Sequence, residues 1–228
     1  DIEAQVVNVD ADTEDRLRIF LDRTPFYAES GGQVGDCGSI EGDGFEIAIE
    51  SVQKARGGIV HIGQLVTGEL AQVAGGVSAR VDRIKRYDTA RNHTATHLLH
   101  ESLRLTLGEH VGQMGSLVLP DRLRFDFSHG KALTTDELEE VEALVNGVIE
   151  KDDPVQRALV PLEEAMKIES LRAVFGENYP DPVRVVAVGL GEDTLDDVRK
   201  DPTNDKWRAA SIELCGGTHS LASGGAQR

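Results

Sequence analysis

The strongest constraint on the fold is a pair of short blocks that hold metal-ligand residue types far apart in the sequence. His93 and His97 lie in the segment RNHTATHLLH. Cys215 and His219 lie in ELCGGTHS, about 120 residues later. One thiolate and three imidazoles form a complete donor set for tetrahedral zinc. We therefore predict that the fold brings both blocks together around one Zn2+ ion per chain.

The spacing within each block supports a shared ion. A separation of four residues puts His93 and His97 on one face of a helix. The two glycines of CGGTH permit a tight loop that turns the thiolate and the imidazole toward one point. Either pair alone would favour chance spacing and an inert buried cysteine, whereas both pairs in one chain favour a metal.

Composition limits the class of protein. The chain has 228 residues, of which 39% are hydrophobic, and this suffices for one large or two modest domains. Two cysteines indicate a reducing compartment, for which we predict the cytoplasm. No apolar run is long enough to cross a membrane, and there is no signal peptide. The chain begins at Asp1 without a methionine, so we expect it to be part of a longer protein.

Charge is unevenly distributed along the chain. A net charge of −16 argues against nonspecific nucleic-acid binding by the whole surface. A basic run nevertheless stands in the middle of the sequence and contains Arg80, Arg83, Lys85, Arg86 and Arg91. This run is a candidate phosphate-binding patch, and a solvated charged connector explains it equally well.

The order of elements predicts an α+β protein with a small β-barrel at the N-terminus. Short β-rich runs separated by Gly, Asp and Ser fill residues 1–83, and a glycine-rich loop at 24–40 opens into a strand. A barrel or sandwich is expected there. We place a barrel domain at residues 1–84 and a zinc-binding α+β domain at 85–228.

The second domain is expected to begin with a long helix. Asp88 is its predicted cap and Gly108 its stop. A hairpin with a turn at Pro120, a helix capped by Thr134 and three further strands follow. Segment 190–206 is acidic and poor in apolar residues, so it is predicted to be a mobile surface loop or an insertion.

Common metal and hydrolase motifs do not fit. HTATH lacks the glutamate of HExxH, so a metalloprotease would have no general base. The CxxC pair and nearby glutamate of a nucleotide deaminase are missing, and there is no GxSxG elbow. Four protein ligands would close the zinc shell as in structural sites, whereas catalysis needs an open position. The spacing does not decide between these two.

Longer strings resemble a known family. TPFYAESGGQVGD, RNHTATHLLH, GSLVLPDRLRFDFSH and ELCGGTH are similar to the editing region of bacterial alanyl-tRNA synthetases. Free-standing alanyl-tRNA editing proteins share most of this pattern, and the second additional domain of threonyl-tRNA synthetases has a related one. The resemblance covers nearly the whole chain. It implies an excised editing domain with its preceding β-domain, separated from an ATP-dependent ligase.

The resemblance also implies a reaction and a set of residues. The reaction is hydrolysis of the ester in Ser-tRNA(Ala) and Gly-tRNA(Ala), with the acceptor end of tRNA(Ala) and the rest of the synthetase as partners. The positions that match the family's metal ligands are His93, His97, Cys215 and His219. The positions that match its catalytic pocket residues are Thr96 and Gln113. The residues expected to contact tRNA are Gly31, Gly32 and Gln33 in the glycine-rich loop, together with the basic run.

Three hypotheses stay open. The first is an editing deacylase that acts within a synthetase, and the second is a free-standing deacylase that acts in trans. A noncatalytic tRNA-binding module, in which zinc only holds the fold, is the competing hypothesis from a different class.

Overall fold

The computed structural model describes residues 1–11, 16–173 and 178–226. It divides into two compact units: Asp1–Thr89 with Leu119–Asp121, and Ala90–Val118 with Arg122–Arg228. The α+β fold class and the N-terminal barrel predicted from the sequence are confirmed. The domain division predicted after residue 84 stays a prediction.

The first unit contains a closed antiparallel barrel with the strand order β1-β2-β5-β4-β3-β6. In β4 the buried residues Phe45, Ile47 and Ile49 alternate with more exposed ones, so one face of the strand fills the barrel. Pairing of β1 with β6 completes the closure. The strands are β1 (Ile2–Ala11), β2 (Leu17–Leu21), β3 (Gly38–Gly42), β4 (Phe45–Ala55), β5 (Gly58–Thr67) and β6 (Gly76–Val81), with a 3₁₀ turn at Leu70–Gln72.

Buried polar side chains fasten the glycine-rich loop to the barrel. His61 Nδ1 lies 3.0 Å from the carbonyl oxygen of Ile19, and its Nε2 lies 2.7 Å from Thr24 Oγ1. Burial lowers the pKa of His61 although the bond to Ile19 opposes this, so the ring is neutral. Nδ1 therefore donates to the carbonyl and Nε2 accepts from the threonine at the start of the loop.

The second unit is built around a three-stranded antiparallel sheet with the order β11-β10-β9. On one face, Val185 and Ala187 pack in a core cluster with Leu195 and Val198. The opposite face packs against two long helices, α1 (Arg83–Leu107) and α2 (Thr135–Lys151). The strands are β9 (Gln156–Val160), β10 (Val183–Val188) and β11 (Ser211–Leu214), and a separate hairpin consists of β7 (Gln113–Val118) and β8 (Leu123–Phe127).

Within the ranges that the structure describes, four helices accompany these strands: α1 (Arg83–Leu107), α2 (Thr135–Lys151), α3 (Leu162–Ala165) and α4 (Leu195–Lys200). The predicted capping box begins α2, because Thr134 and Glu137 exchange side-chain and backbone hydrogen bonds. Further 3₁₀ turns lie at Asp205–Ala209 and Ser223–Ala226. No helix in the described residues has the length and apolar composition that a bilayer crossing needs.

The predicted start of the long helix was wrong. Helix α1 begins at Arg83, five residues before the position that Asp88 was expected to cap. The carboxylate of Asp82 accepts hydrogen bonds from the backbone N–H groups of Ile84 and Lys85, both at 3.1 Å. Asp82 therefore caps the helix, and most of the basic run lies on a helix rather than in a connector.

The prediction of a mobile loop at 190–206 was also wrong. Thr194 and Asp197 form a capping box that begins α4. Leu195 and Val198 are buried at helical spacing, and Trp207 is buried with its ring N–H donating to the carbonyl of Asp201 at 2.7 Å. A few apolar residues at the right spacing hold this segment in place although its composition is acidic.

We expect a buried ion pair to stabilise the first unit. Asp36 accepts hydrogen bonds from Arg86 Nε at 2.8 Å and 2.9 Å, and only 4% of the aspartate side chain is exposed against 31% of the arginine. Breaking a fully buried pair costs about 3–5 kcal/mol. Because Arg86 keeps some solvent contact, Asp36→Ala should lower the free energy of unfolding by about 2–3 kcal/mol in urea denaturation.

The matched control is the exposed pair between Arg80 and Glu41, whose nitrogen and oxygen lie 3.0 Å apart. Glu41→Ala should change the free energy of unfolding by about 0.5 kcal/mol or less. Equal effects of the two substitutions would contradict the structural role assigned to Asp36.

Candidate metal centre

Two distant segments bring four donor side chains to one point in the second unit. Helix α1 carries His93 and His97 one turn apart, and the loop at residues 215–220, called the ligand loop below, carries Cys215 and His219. One donor atom from each of the four residues lies within 4.8 Å of all the others. Cys215 Sγ is 3.4 Å from His93 Nε2 and 3.3 Å from His219 Nε2.

These distances fit a tetrahedral metal ion. Zinc lies about 2.0–2.1 Å from imidazole nitrogen and about 2.3 Å from thiolate sulfur, so tetrahedral angles separate such ligands by roughly 3.5 Å. The sulfur–nitrogen distances at Cys215 are close to this value. The side chains of His93, His97 and His219 are buried. The cluster could therefore hold a metal ion, and the role of each residue as a zinc ligand stays a prediction.

Hydrogen bonds hold the ligand loop in its conformation. The backbone N–H of Gly217 donates to Cys215 Sγ at 3.4 Å, which folds the chain back over the sulfur. The backbone N–H of Ser220 donates to Thr94 Oγ1 at 3.0 Å, and this ties the loop to helix α1 between its two histidines. Sequence reasoning missed Thr94, because nothing in HTATH tells which of the two threonines meets the loop.

Electrostatics favour an ionised sulfur. Burial alone raises the pKa of the Cys215 thiol, but His97 and hydrogen bonds with His219 and His93 lower it to well below its usual range. The thiolate is the form of cysteine that binds a metal. The cluster therefore combines a spacing that suits a cation with a sulfur in the form that binds one.

A buried carboxylate lies behind the four-residue cluster. Glu213 Oε2 is 3.6 Å from His97 Nδ1, and Glu213 Oε1 is 3.3 Å from His100 Nδ1. Burial opposes ionisation of Glu213, but the facing groups His97, His100 and Arg172 lower its pKa below the usual range. Arg172 also forms an ion pair with Glu101. A carboxylate in this position orients the imidazole of a metal ligand.

A cavity of about 280 Å³ adjoins this network, and it contains one of the predicted catalytic residues. Gln113, from strand β7, lines it together with His100, Arg172 and Glu213. Because Glu213 also faces His97, the cavity lies next to the four-residue cluster. Its lining offers an amide, an imidazole, a guanidinium and a carboxylate to a polar ligand.

The other predicted catalytic residue, Thr96, is buried in helix α1. Its hydroxyl donates to the carbonyl oxygen of Asn92 at 2.8 Å, so the oxygen keeps lone pairs that can accept a hydrogen bond. The catalytic roles of Thr96 and Gln113 stay predictions.

The predicted tRNA contacts of the first unit differ in accessibility. Gly31 is exposed and Gly32 partly exposed, with φ of 58° and 80° that a glycine adopts without strain. Gln33 is completely buried. Contacts of these three residues with tRNA stay predictions, and in the structure Gln33 contributes to packing.

Several members of the basic run are engaged within the chain. Arg80 pairs with Glu41, Arg83 with Asp1, and Arg86 with Asp36. Lys85 lies close to Cys37, where its charge opposes the rise that burial causes in the pKa of that thiol. Arg91 also has a polar or electrostatic interaction within the chain. Their binding to phosphates stays a prediction, and paired carboxylates neutralise part of the charge on which it depends.

Comparison with known proteins first indicates the class. The profile of the family described as "tRNA synthetases class II (A)" matches residues 2–85, which include all six barrel strands. The barrel is therefore similar to a segment of class II aminoacyl-tRNA synthetases.

Individual relatives then narrow the class to one family. The chain is 49% identical over 207 residues to "Alanine--tRNA ligase" of Candida albicans. The aligned region covers 90% of this chain and 21% of the relative. It is 46% identical to the enzyme of that name from a Chelativorans species over 92% of the chain and 22% of the relative. "Alanine--tRNA ligase, mitochondrial" of Saccharomyces cerevisiae is 46% identical over 88% of the chain and 20% of its own length.

These matches confirm the resemblance inferred from the motifs. The chain corresponds to one segment of the alanyl-tRNA synthetase family and spans about a fifth of the length of these relatives.

We expect loss of the cysteine ligand to release the metal. Four-ligand zinc sites bind with about 10–16 kcal/mol, so removing one ligand costs about 3 kcal/mol, or roughly a hundredfold in affinity. Cys215→Ala should therefore carry far less than one zinc ion per chain after dialysis, as measured by elemental analysis.

The chain offers a matched control for this substitution. Cys37 is the other cysteine and stands outside the four-residue cluster. Cys37→Ala should retain one zinc ion per chain and the melting temperature of the unmodified protein. Equal metal content in the two variants would show that Cys215 does not bind the ion.

Proposed function

We propose that the chain hydrolyses the ester that joins a wrongly attached amino acid to tRNA(Ala), with Ser-tRNA(Ala) and Gly-tRNA(Ala) as substrates. The observation that carries this proposal is the convergence of His93, His97, Cys215 and His219 beside a cavity lined by Gln113. The relationship to alanine–tRNA ligases supports a tRNA substrate. Zn2+ as the metal, the rest of the synthetase as partner and the cytoplasm as compartment belong to the same proposal.

A second site for hydrolysis has a physical reason. A pocket that accepts alanine cannot exclude the smaller glycine, and a hydrophobic pocket rejects an added hydroxyl by only about a hundredfold. Discrimination beyond this level requires a separate site that removes wrong products after they form. That site must recognise serine by its hydroxyl and spare alanine.

Thr96 and Gln113 have different proposed roles in binding and orienting the substrate. Zinc, when bound, supplies Lewis-acid polarisation of an oxygen atom or holds the site together. Thr96 offers its hydroxyl oxygen as an acceptor for the seryl hydroxyl, which alanine lacks. Gln113 offers an amide that can donate to the ester carbonyl or orient a water molecule.

The second candidate is a noncatalytic tRNA-binding module that zinc stabilises. It is favoured by the donor set, because four protein ligands fill a tetrahedral shell as they do in structural sites. A free-standing deacylase acting in trans is a third form of the proposal. A transcript that also encodes an aminoacylation domain would exclude it.

The deciding experiment incubates the chain with Ser-tRNA(Ala), Gly-tRNA(Ala) and Ala-tRNA(Ala) and follows ester loss against a no-protein reaction. We expect seryl and glycyl esters to disappear faster than without protein by roughly tenfold or more, which corresponds to a barrier lower by at least about 1.4 kcal/mol. Alanyl ester should persist. Seryl loss at the no-protein rate would overturn the deacylase proposal, and tRNA binding without hydrolysis would support the noncatalytic module.

Removal of the Thr96 hydroxyl should slow hydrolysis of the seryl ester and not that of the glycyl ester. Thr96→Val removes the oxygen that is proposed to bind the seryl hydroxyl and keeps the shape of the side chain. Loss of one neutral hydrogen bond of about 0.5–1.5 kcal/mol should slow seryl ester hydrolysis by about threefold to tenfold and leave the glycyl ester unaffected. Single-turnover rates on both substrates measure this.

Thr89 provides the control on the same helix. Its hydroxyl donates to the carbonyl oxygen of Lys85 at 2.8 Å, the same backbone contact that Thr96 makes with Asn92. Thr89→Val should leave both rates unchanged. Equal slowing on seryl and glycyl esters by Thr96→Val would assign the residue to the fold of the helix instead of serine recognition.

A further inference from the structure

Two arginines stand on the sheet face that carries the metal centre. In the antiparallel register, Arg157 of β9 lies opposite Val186 of β10, and Arg184 of β10 lies opposite Leu159 of β9. Directly paired residues project from the same face, and residues two apart along a strand do so as well. Arg157, Arg184 and Leu159 therefore share a face with Val186, which packs in one cluster with Cys215.

Both guanidinium groups reach the backbone of the ligand loop. Arg157 Nη2 donates to two of its carbonyl oxygens, at 3.0 Å and 2.5 Å, and Arg184 Nη1 donates to two others, at 3.2 Å and 2.6 Å. The four carbonyls belong to Cys215, Gly217, His219 and Ser220. Two positive charges are thus held directly beside the metal ligands.

These charges lack the compensation that other arginines of this acidic chain have. In the described ranges, neither Arg157 nor Arg184 forms an ion pair with a carboxylate, whereas Arg80, Arg83 and Arg86 each do. Burial and the charge of Arg184 lower the pKa of Arg157, so the two cations repel each other. Each guanidinium has five N–H donors and uses one nitrogen on the loop, which leaves donors for an anion.

We propose that Arg157 and Arg184 form a phosphodiester-binding site for the single-stranded 3′ end of tRNA, next to the metal centre. This inference rests on the proposed function, which supplies RNA as the ligand. The planar guanidinium fork matches two phosphate oxygens, and hydrogen bonds between charged partners are about twice as strong as those between neutral ones. Leu159, 69% exposed beside the pair, offers an apolar surface to a ribose or base.

The location suits the chemistry of the substrate. The amino acid ester is attached to the terminal ribose, so the last phosphates of the strand must come close to the reacting ester. The ligand loop joins both sites, because its side chains form the metal centre and its carbonyls hold the two guanidiniums. Binding the strand there would place the ester beside the metal.

The test measures binding of a tRNA(Ala) acceptor minihelix by fluorescence anisotropy between about 50 and 300 mM KCl. One probe ends in the single-stranded 3′ nucleotides and the other is blunt. Arg157→Gln should weaken binding of the first probe by about tenfold or more, because it removes a charge-assisted hydrogen bond to a phosphate. The slope of log affinity against log salt should fall by about 0.7, the value for one single-strand phosphate contact.

Three controls separate phosphate binding from support of the loop. Arg157→Lys keeps the charge and should restore the salt slope. Arg208→Gln makes the same change at an exposed arginine paired with Glu109 and should leave binding unchanged. Zinc content of Arg157→Gln should equal that of the unmodified protein, because glutamine still offers a donor to the loop carbonyls.

Several results would overturn the site. These are an unchanged salt slope in Arg157→Gln, equal weakening on both probes, loss of zinc from that variant, or an unmodified protein that binds both probes equally. Hydrolysis of Ser-tRNA(Ala) is measured in parallel. Absent hydrolysis with the expected binding results refutes the deacylase proposal alone, and normal hydrolysis with unchanged binding refutes the phosphate site alone.

Discussion

The second unit depends on one convergence, that of helix α1 with the ligand loop after strand β11. Four polar side chains are buried there together, and burying such groups without partners would cost several kcal/mol. They compensate one another as a thiolate surrounded by imidazoles, in a spacing that suits a tetrahedral cation. The bond from Ser220 to Thr94 and the four arginine contacts fix the loop on its other side. The metal centre, the adjoining cavity and the arginine pair therefore share one structural support.

The positive charge available to a ligand depends on which arginines form ion pairs, and not on how many stand close together in the sequence. The basic run is conspicuous in the sequence, yet its members Arg80, Arg83 and Arg86 are matched to carboxylates. Arg157 and Arg184 are inconspicuous in the sequence, but in the part of the chain that the structure describes they donate to carbonyl oxygens of the ligand loop and form no ion pair with a carboxylate. For an anionic substrate the second arrangement is the stronger attraction, because its positive charge is not already neutralised. In the first unit, the buried pair of Arg86 and Asp36 serves stability instead.

Local patterns predicted most elements but misplaced two. The alternation within β4 and the capping box at Thr134 depend on neighbours a few residues away, so the barrel strands and helix α2 could be read directly. The start of α1 was misplaced because both Asp82 and Asp88 are suitable caps, and only the backbone shows which one accepts the first N–H groups. Segment 190–206 was misread because its average composition conceals Leu195 and Val198, which become buried against the sheet together with the adjoining Trp207.

The sequence by itself determined the donor types of the centre, the helical spacing of His93 and His97, and the family to which the motifs point. Each of these resides in a short stretch of chain, where spacing and residue chemistry act directly. Only the tertiary structure decided that Glu213 stands behind His97, that Gln33 is buried and that Arg157 and Arg184 hold the ligand loop. These contacts join residues that are distant in the sequence, and Glu213 and His97 are more than a hundred positions apart. Strand register and sheet packing bring such residues together, and a single sequence records neither.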